Sequence, residues 1–166
     1  VVMFLGKTRG GERPIAQMDS AVRLLGRMAR GSVHAWGRHT HRGWDSAIAG
    51  SGCLQAALTR LLRCKVSEDA ILALWDVHKF YDSIRWEHLD RGIKELRFPP
   101  TAFALSAQAH FGARLLLADG CVSEPVMRLD TSILAGDGYA NDYARCMLYA
   151  ILDFMHVQWP SAGPQQ

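Results

Sequence analysis

Apolar and polar positions along this chain recur with two periods, and the changes of period mark out its elements. Met3 to Ala16 reads M-F-L-G-K-T-R-G-G-E-R-P-I-A, two short apolar runs around a Gly-rich turn. That pattern predicts a hairpin with Lys7 and Arg13 on opposing strands. From Asp19 to about His41 the period becomes helical, with Asp19 or Ser20 able to cap the first turn. Ala21, Leu24, Leu25 and Met28 form its apolar stripe, and Arg23, Arg27 and Arg30 fall on the opposite face. Gly43 to Gly52 predicts a loop, and Cys53 to Cys64 a second short helix. Ser83 to Leu96 is amphipathic, with Trp86, Leu89, Ile93 and Leu96 on one face, and Phe98-Pro99-Pro100 ends it. Another helix is expected from Thr101 to about Phe111. Arg114–Ala118 and Cys121–Leu129 then flank Asp119-Gly120, a strong hairpin signal. A last helix is expected from Ala140 to about Val157.

Composition narrows the class. The 166 residues are 49% hydrophobic and 21% charged, enough for one domain with a real core. No apolar run approaches a membrane span, and the N-terminal residues lack a signal-peptide pattern. Cys53, Cys64, Cys121 and Cys146 are widely scattered, which argues for reduced, mostly buried thiols in an intracellular protein. A start at Val1 and an unstructured tail over 158–166 read as a fragment of a longer chain. His34, His39, His41, Trp36 and Trp44 match no zinc-ligand spacing.

Charge is divided unevenly. Residues 1–75 hold 11 Lys and Arg against 5 Asp and Glu, or +6; residues 76–166 hold 8 against 11, or −3. Enzymes of nucleic acids often combine a basic surface for phosphates with an acidic metal site. The arginine stripe of the first helix reads in two ways, as a solvated face or as a track for a nucleic-acid backbone.

The most informative segment is Ile71–Ile84, I-L-A-L-W-D-V-H-K-F-Y-D-S-I. Its apolar run predicts a buried strand ending at Asp76, central to a sheet. A carboxylate there, beside the carbonyl of Val77, can hold Mg²⁺; it can equally cap the helix that follows. The segment resembles motif A of reverse transcriptases, especially those of group II introns and non-LTR retrotransposons. The resemblance implies that Asp76 binds the catalytic metals and that Tyr81, five residues on, packs under the sugar of the incoming nucleotide. Asp82 reads as a helix cap.

Other segments follow in the order of that family. The hairpin with a lysine, glycines and Arg13-Pro14-Ile15 is similar to its fingers, which implies contacts from Lys7 and Arg13 to a triphosphate or template. Thr131 to Ala140 stands where motif B stands, and Gly136-Asp137 followed by a helix matches it. The resemblance puts Ala135 and Gly136 against the nucleotide, although Ala135 replaces the usual glutamine. A Tyr-x-Asp-Asp turn, motif C, is absent: the chain has no adjacent Asp pair, and Asp153 lies inside the last helix as a surface or capping carboxylate.

The fold expected is α+β, a partial right-hand polymerase with a small antiparallel sheet covered by helices. Its fingers-like segment would be 1–69 and its partial palm 70–157, with the helices 83–96 and 140–157 against one face of the sheet. The implied activity is RNA-directed DNA synthesis by a two-metal mechanism. It would take two Mg²⁺ ions, deoxynucleotide triphosphates, an RNA template and a DNA primer. The isolated chain is expected to be inactive. The alternatives are a catalytically dead nucleic-acid-binding remnant and a non-enzymatic α/β interaction domain.

Overall fold

The structure is a computed structural model that describes residues 1–6, 12–48, 50–66, 76–126 and 130–158, with side chains left out at 5, 6, 12, 13 and 156. The described elements run β1 (Val2–Gly6), β2 (Glu12–Ala16), α1 (Ser20–Thr40), α2 (Cys53–Val66), α3 (Phe80–Ser83), α4 (Trp86–Glu95), α5 (Pro100–Phe111), β3 (Leu116–Ala118), β4 (Cys121–Val122) and α6 (Ala140–Gln158). This is an α+β chain. Among the described residues no helix is long and apolar enough to cross a membrane.

The chain divides into two compact units, Val1–Thr40 with Lys79–Ile151, and His41–His78 with Leu152–Gln166. The first contains a four-stranded sheet in the order β2-β1-β3-β4. β1 and β2 pair antiparallel, with Val2 opposite Ala16 and Phe4 opposite Pro14. β3 and β4 form the second hairpin. Asp119 and Gly120 between them both have positive φ, 51° and 77°, as a two-residue type I′ turn requires. β1 and β3 pair parallel, so the sheet is mixed and not antiparallel as expected. Val2 and Met3 of β1 join the two hairpins edge to edge. The expected strand over 71–75 lies outside the described residues.

The apolar centre of this unit lies among helices. Its buried cluster joins α1, α4, α5 and α6 with Ile84, Phe98, Ile133 and Tyr139, and among the described residues it holds none from a strand. In this cluster the helices expected against the sheet, 83–96 and 140–157, pack on one another and on α1 and α5. Phe98 stands at the middle, 4.9 Å from the Trp36 ring and 5.4 Å from that of Tyr143. α4 and α6 touch backbone to backbone at Gly92. A Cβ there would lie 2.1 Å from the Cys146 carbonyl oxygen, so only glycine permits the approach.

Two helices depart from the expected pattern. In α1 the side facing inward is Val22, Gly26, Ala29, Val33 and Trp36, while Leu24, Leu25 and Met28 are exposed. Small residues win because α1 is drawn close: the Gly26 carbonyl accepts the Tyr139 hydroxyl, and Trp36 Nε1 donates to the Leu96 carbonyl at 2.8 Å. Asp19 caps the helix as read, accepting the Ala21 N–H at 2.8 Å. The helix expected from Ser83 to Leu96 is broken at Ile84–Arg85, both extended. Arg85 pairs with Thr131, and the Ser132 N–H bonds the Ile84 carbonyl at 2.9 Å, so strand-like pairing to 130–132 displaces helical bonds.

In the second unit every residue of α2 is at least partly exposed, Leu54, Leu58, Leu61 and Leu62 included. Arg42 grips Asp153 through Nε at 2.9 Å and Nη2 at 2.7 Å, so Asp153 is a bidentate ion-pair partner and not a cap. All four cysteines are free, but only Cys146 is buried, against the expectation of mostly buried thiols. Burial pushes the Cys146 thiol up to about 12, which keeps it protonated and unreactive.

Candidate nucleic-acid site at the 132–141 turn

Residues 130–133 run antiparallel to 81–86 and carry the chain from the second hairpin back to α3. The Ile133 N–H bonds the Tyr81 carbonyl at 3.0 Å, and the Trp86 N–H reaches the Asp130 carbonyl at 3.4 Å. Side chains repeat the join. The Tyr81 hydroxyl donates to Asn141 Oδ1 at 2.8 Å, and the Ser132 hydroxyl reaches Asp82 Oδ1 at 3.3 Å. Asp82 therefore anchors the partner segment and does not cap a helix.

Arg114 underpins this join. Its guanidinium donates to the Ser132 hydroxyl at 3.0 Å and carbonyl at 2.8 Å and to the His110 carbonyl at 3.3 Å, while Nε is buried without a partner among the described residues. Burial pushes its pKa down, and the negative charge of Asp82 opposes that.

The turn itself is built in two directions. Gly136 has φ +119°, and a Cβ on it would meet the Ala16 carbonyl oxygen at 2.6 Å. The Ala16 N–H bonds the Ala135 carbonyl at 2.8 Å, so the end of β2 is tied to the turn. Asp137 points the other way, into the core. Its Oδ2 accepts the Ser106 hydroxyl at 2.6 Å and lies 2.9 Å from His110 Nε2. His110 Nδ1 accepts the Leu134 N–H at 3.0 Å, which leaves the ring proton on Nε2, facing Asp137. Burial pushes the Asp137 carboxyl up, but the bonds from His110 and Ser106 outweigh it and hold it below the ordinary carboxylate range. Tyr143 lies beside Ser106 with its hydroxyl buried and without a well-formed hydrogen bond among the described residues. Burial raises its pKa far above the usual phenol value.

On the outer side of the turn is a cavity of about 260 Å³. Gly136, Gly138 and Tyr139 form one wall; Arg23, Arg27 and Arg30 of α1 form the other. Each arginine follows an inward residue of α1 (Val22, Gly26, Ala29) by one position, about 100° around the helix. The three therefore border the packed side and overhang the cavity. No salt bridge engages them among the described residues.

The residues singled out in the sequence fall in different places. Tyr81 is bonded to Ile133 and Asn141, on either side of Ala135 and Gly136 in sequence, and all lie in the first unit. Arg13 stands in β2 opposite Leu5; its side chain is outside the description, and Lys7 lies outside the described residues. Asp76 and Val77 are exposed and belong to the second unit. Among the described residues no three His, Cys, Asp or Glu gather as a metal would require.

Sequence reasoning missed Ser106, His110, Arg114 and Asn141. Ser106 and His110 stand four apart on α5, which puts them on one helix face, a signal that was available; nothing local named Asp137 as their shared partner. A comparison with known proteins found no family model, no curated protein and no solved structure that matches this chain.

Proposed function

We propose that the chain is the fingers and partial palm of a reverse transcriptase of the group II intron or non-LTR retrotransposon type. Its role is to hold nucleic acid for RNA-directed DNA synthesis. One observation carries the reading. Two segments that resemble separate motifs of that family both bond a third, residues 132–141: Tyr81-Asp82 bonds Ser132 and Asn141, and the end of the basic hairpin at Ala16 bonds Ala135. Sequence order alone does not require that meeting.

In this reading Tyr81 presents a ring fixed by Asn141 to the sugar of a nucleotide. The Ala135–Gly136 backbone lies where a base pair passes, with glycine leaving room. Lys7 and Arg13 supply positive charge to phosphates. Magnesium would supply Lewis-acid chemistry in a complete enzyme, with Asp76 and the Val77 carbonyl as candidate ligands. The 166 residues carry no Tyr-x-Asp-Asp turn, so in this reading they bind and orient nucleic acid without transferring a nucleotidyl group. The same fact favours the second reading, a remnant that holds nucleic acid without polymerising.

The experiment is fluorescence anisotropy of the full chain with a labelled RNA–DNA hybrid primer–template, alongside primer extension. Hybrid binding tighter than that of a polyanion of equal charge, with negligible extension, is the expected result. A folded chain that binds hybrid no better than the polyanion sinks the reading. Robust extension would show that the missing carboxylates are present after all.

A further inference from the structure

We propose that the cavity between α1 and the 136–139 turn is a phosphodiester track, in which Arg23, Arg27 and Arg30 grip the backbone of a single nucleic-acid strand. The proposal rests on the polymerase reading only for which polymer passes; the cavity and its charges stand independently. Three cations open onto one cavity and have no acidic partner among the described residues. The carboxylate that also borders it, Asp137, is turned inward and satisfied by Ser106 and His110, its side chain only 9% exposed. The open wall is therefore positive, which draws an anion.

Size and spacing select the ligand. About 260 Å³ is at the small end of ligand sites, room for a sugar–phosphate unit and not for a double helix. From Arg23 to Arg30 the helix rises about 10 Å at 1.5 Å per residue. That is the length of roughly three nucleotides at the ~3.4 Å axial spacing of a stacked strand. Guanidinium groups in a row bind successive phosphates with bidentate geometry. The facing wall offers glycine backbone, and the Tyr139 ring is 5% exposed with its hydroxyl spent on Gly26, so bases find no stacking platform. Recognition is of backbone and not of sequence.

The test uses the full chain and a labelled 12-nucleotide RNA of mixed sequence, titrated from 50 mM to 1 M salt. The triple variant Arg23→Gln/Arg27→Gln/Arg30→Gln should lower the slope of log affinity against log salt by about 2, since each single-strand phosphate contact contributes about 0.7. At 0.1 M salt that amounts to roughly a hundredfold loss. Gly138→Glu adds a carboxylate where a Cβ meets nothing within 4 Å, and should weaken binding without unfolding the chain. Arg91→Gln, on the exposed side of α4, is the control and should shift the slope by less than one contact. An unchanged slope in the triple variant, unchanged affinity in Gly138→Glu, or no RNA binding by the parent chain overturns the track. The two proposals fail separately. Arginine-dependent RNA binding without hybrid preference keeps the track and sinks the polymerase reading. Hybrid preference that survives the triple variant does the reverse.

Discussion

Two polar clusters share the turn at residues 136–139 and face opposite ways. Inward, Asp137 takes bonds from Ser106 and His110 with its side chain only 9% exposed. Outward, Arg23, Arg27 and Arg30 stand around a cavity with no acid to meet them among the described residues. Both are concentrations of charge, yet the physics assigns them different work. A buried carboxylate survives only where donors replace its water, so its partners are part of the fold. Solvated arginines need no partner to be stable, so their convergence on a cavity costs little and is available for a ligand. The difference teaches that satisfaction, and not charge itself, separates a structural cluster from a binding one. It also predicts that substitutions inside cost stability and substitutions outside cost affinity.

The largest effect should come from the inner cluster. Asp137→Ala leaves the Ser106 hydroxyl and the His110 Nε2–H buried without an acceptor. Each such orphan costs about 1–3 kcal/mol, so urea unfolding should show a loss of about 2–5 kcal/mol. Asp137→Asn keeps one acceptor and should lose less. If either variant unfolds at the same urea concentration as the parent, the inner cluster is not structural and the comparison collapses.

Acid should erase that difference. The Asp137 carboxyl is held below its ordinary value in the folded chain. Its contribution is therefore complete above the ordinary carboxylate range, near pH 4, and is lost as pH falls through the lowered folded value. The stability gap between the parent and Asp137→Asn should be flat from pH 7 to about pH 5 and close below that range. A gap that closes instead between pH 8 and 6 would assign the dependence to another group.

Glycines of the same turn sharpen the contrast at a smaller scale. Gly136→Ala forces a Cβ to 2.6 Å from the Ala16 carbonyl oxygen at φ +119°, and should cost about 1–3 kcal/mol in thermal or urea unfolding. Gly138→Ala meets nothing and has no positive φ, so its stability should stay within about 0.5 kcal/mol. Two glycines two residues apart thus answer oppositely because one is packed on β2 and the other borders open space.

What could be read in the sequence follows the range of the interactions that decide it. α1, α2, α5 and α6 begin and end within a few residues of their expected limits, and the Asp119-Gly120 turn forms, because caps, period and turn chemistry are local. The stripe of α1 was misread because Leu24, Leu25 and Met28 outweigh Gly26 and Ala29 in any hydrophobic pattern. Tyr139 and Trp36 nevertheless pull the small residues inward. The break at Ile84–Arg85 was unreadable because it depends on pairing with 130–132, nearly fifty residues away. Of the candidate site, Tyr81, Ala135 and Gly136 were reached through the motif resemblance. Asn141, Ser106 and His110 were not, since each is defined by a partner distant in sequence. The parallel pairing of β1 with β3 has the same cause: no local signal selects which edge a hairpin joins.

The smallest expected effect lies between the two clusters. The Tyr81 hydroxyl donates to Asn141 in a half-exposed, neutral bond that joins α3 to α6. Tyr81→Phe removes that bond and keeps the ring. A neutral bond in reach of water contributes about 0.5–1.5 kcal/mol, and because Asn141 is exposed its freed amide oxygen can turn to solvent, so the loss should sit at the low end. Tyr81→Ala also removes the ring from its place beside Phe80, 5.4 Å away, and should cost more through lost packing. If Tyr81 serves only to join the two segments, Tyr81→Phe and Asn141→Ala should lower stability equally and leave hybrid binding untouched. If the hydroxyl also sets the ring for a nucleotide, Tyr81→Phe should weaken hybrid binding by more than its stability change explains. Measuring both quantities on the same two variants places Tyr81 with the inner cluster or with the outer one.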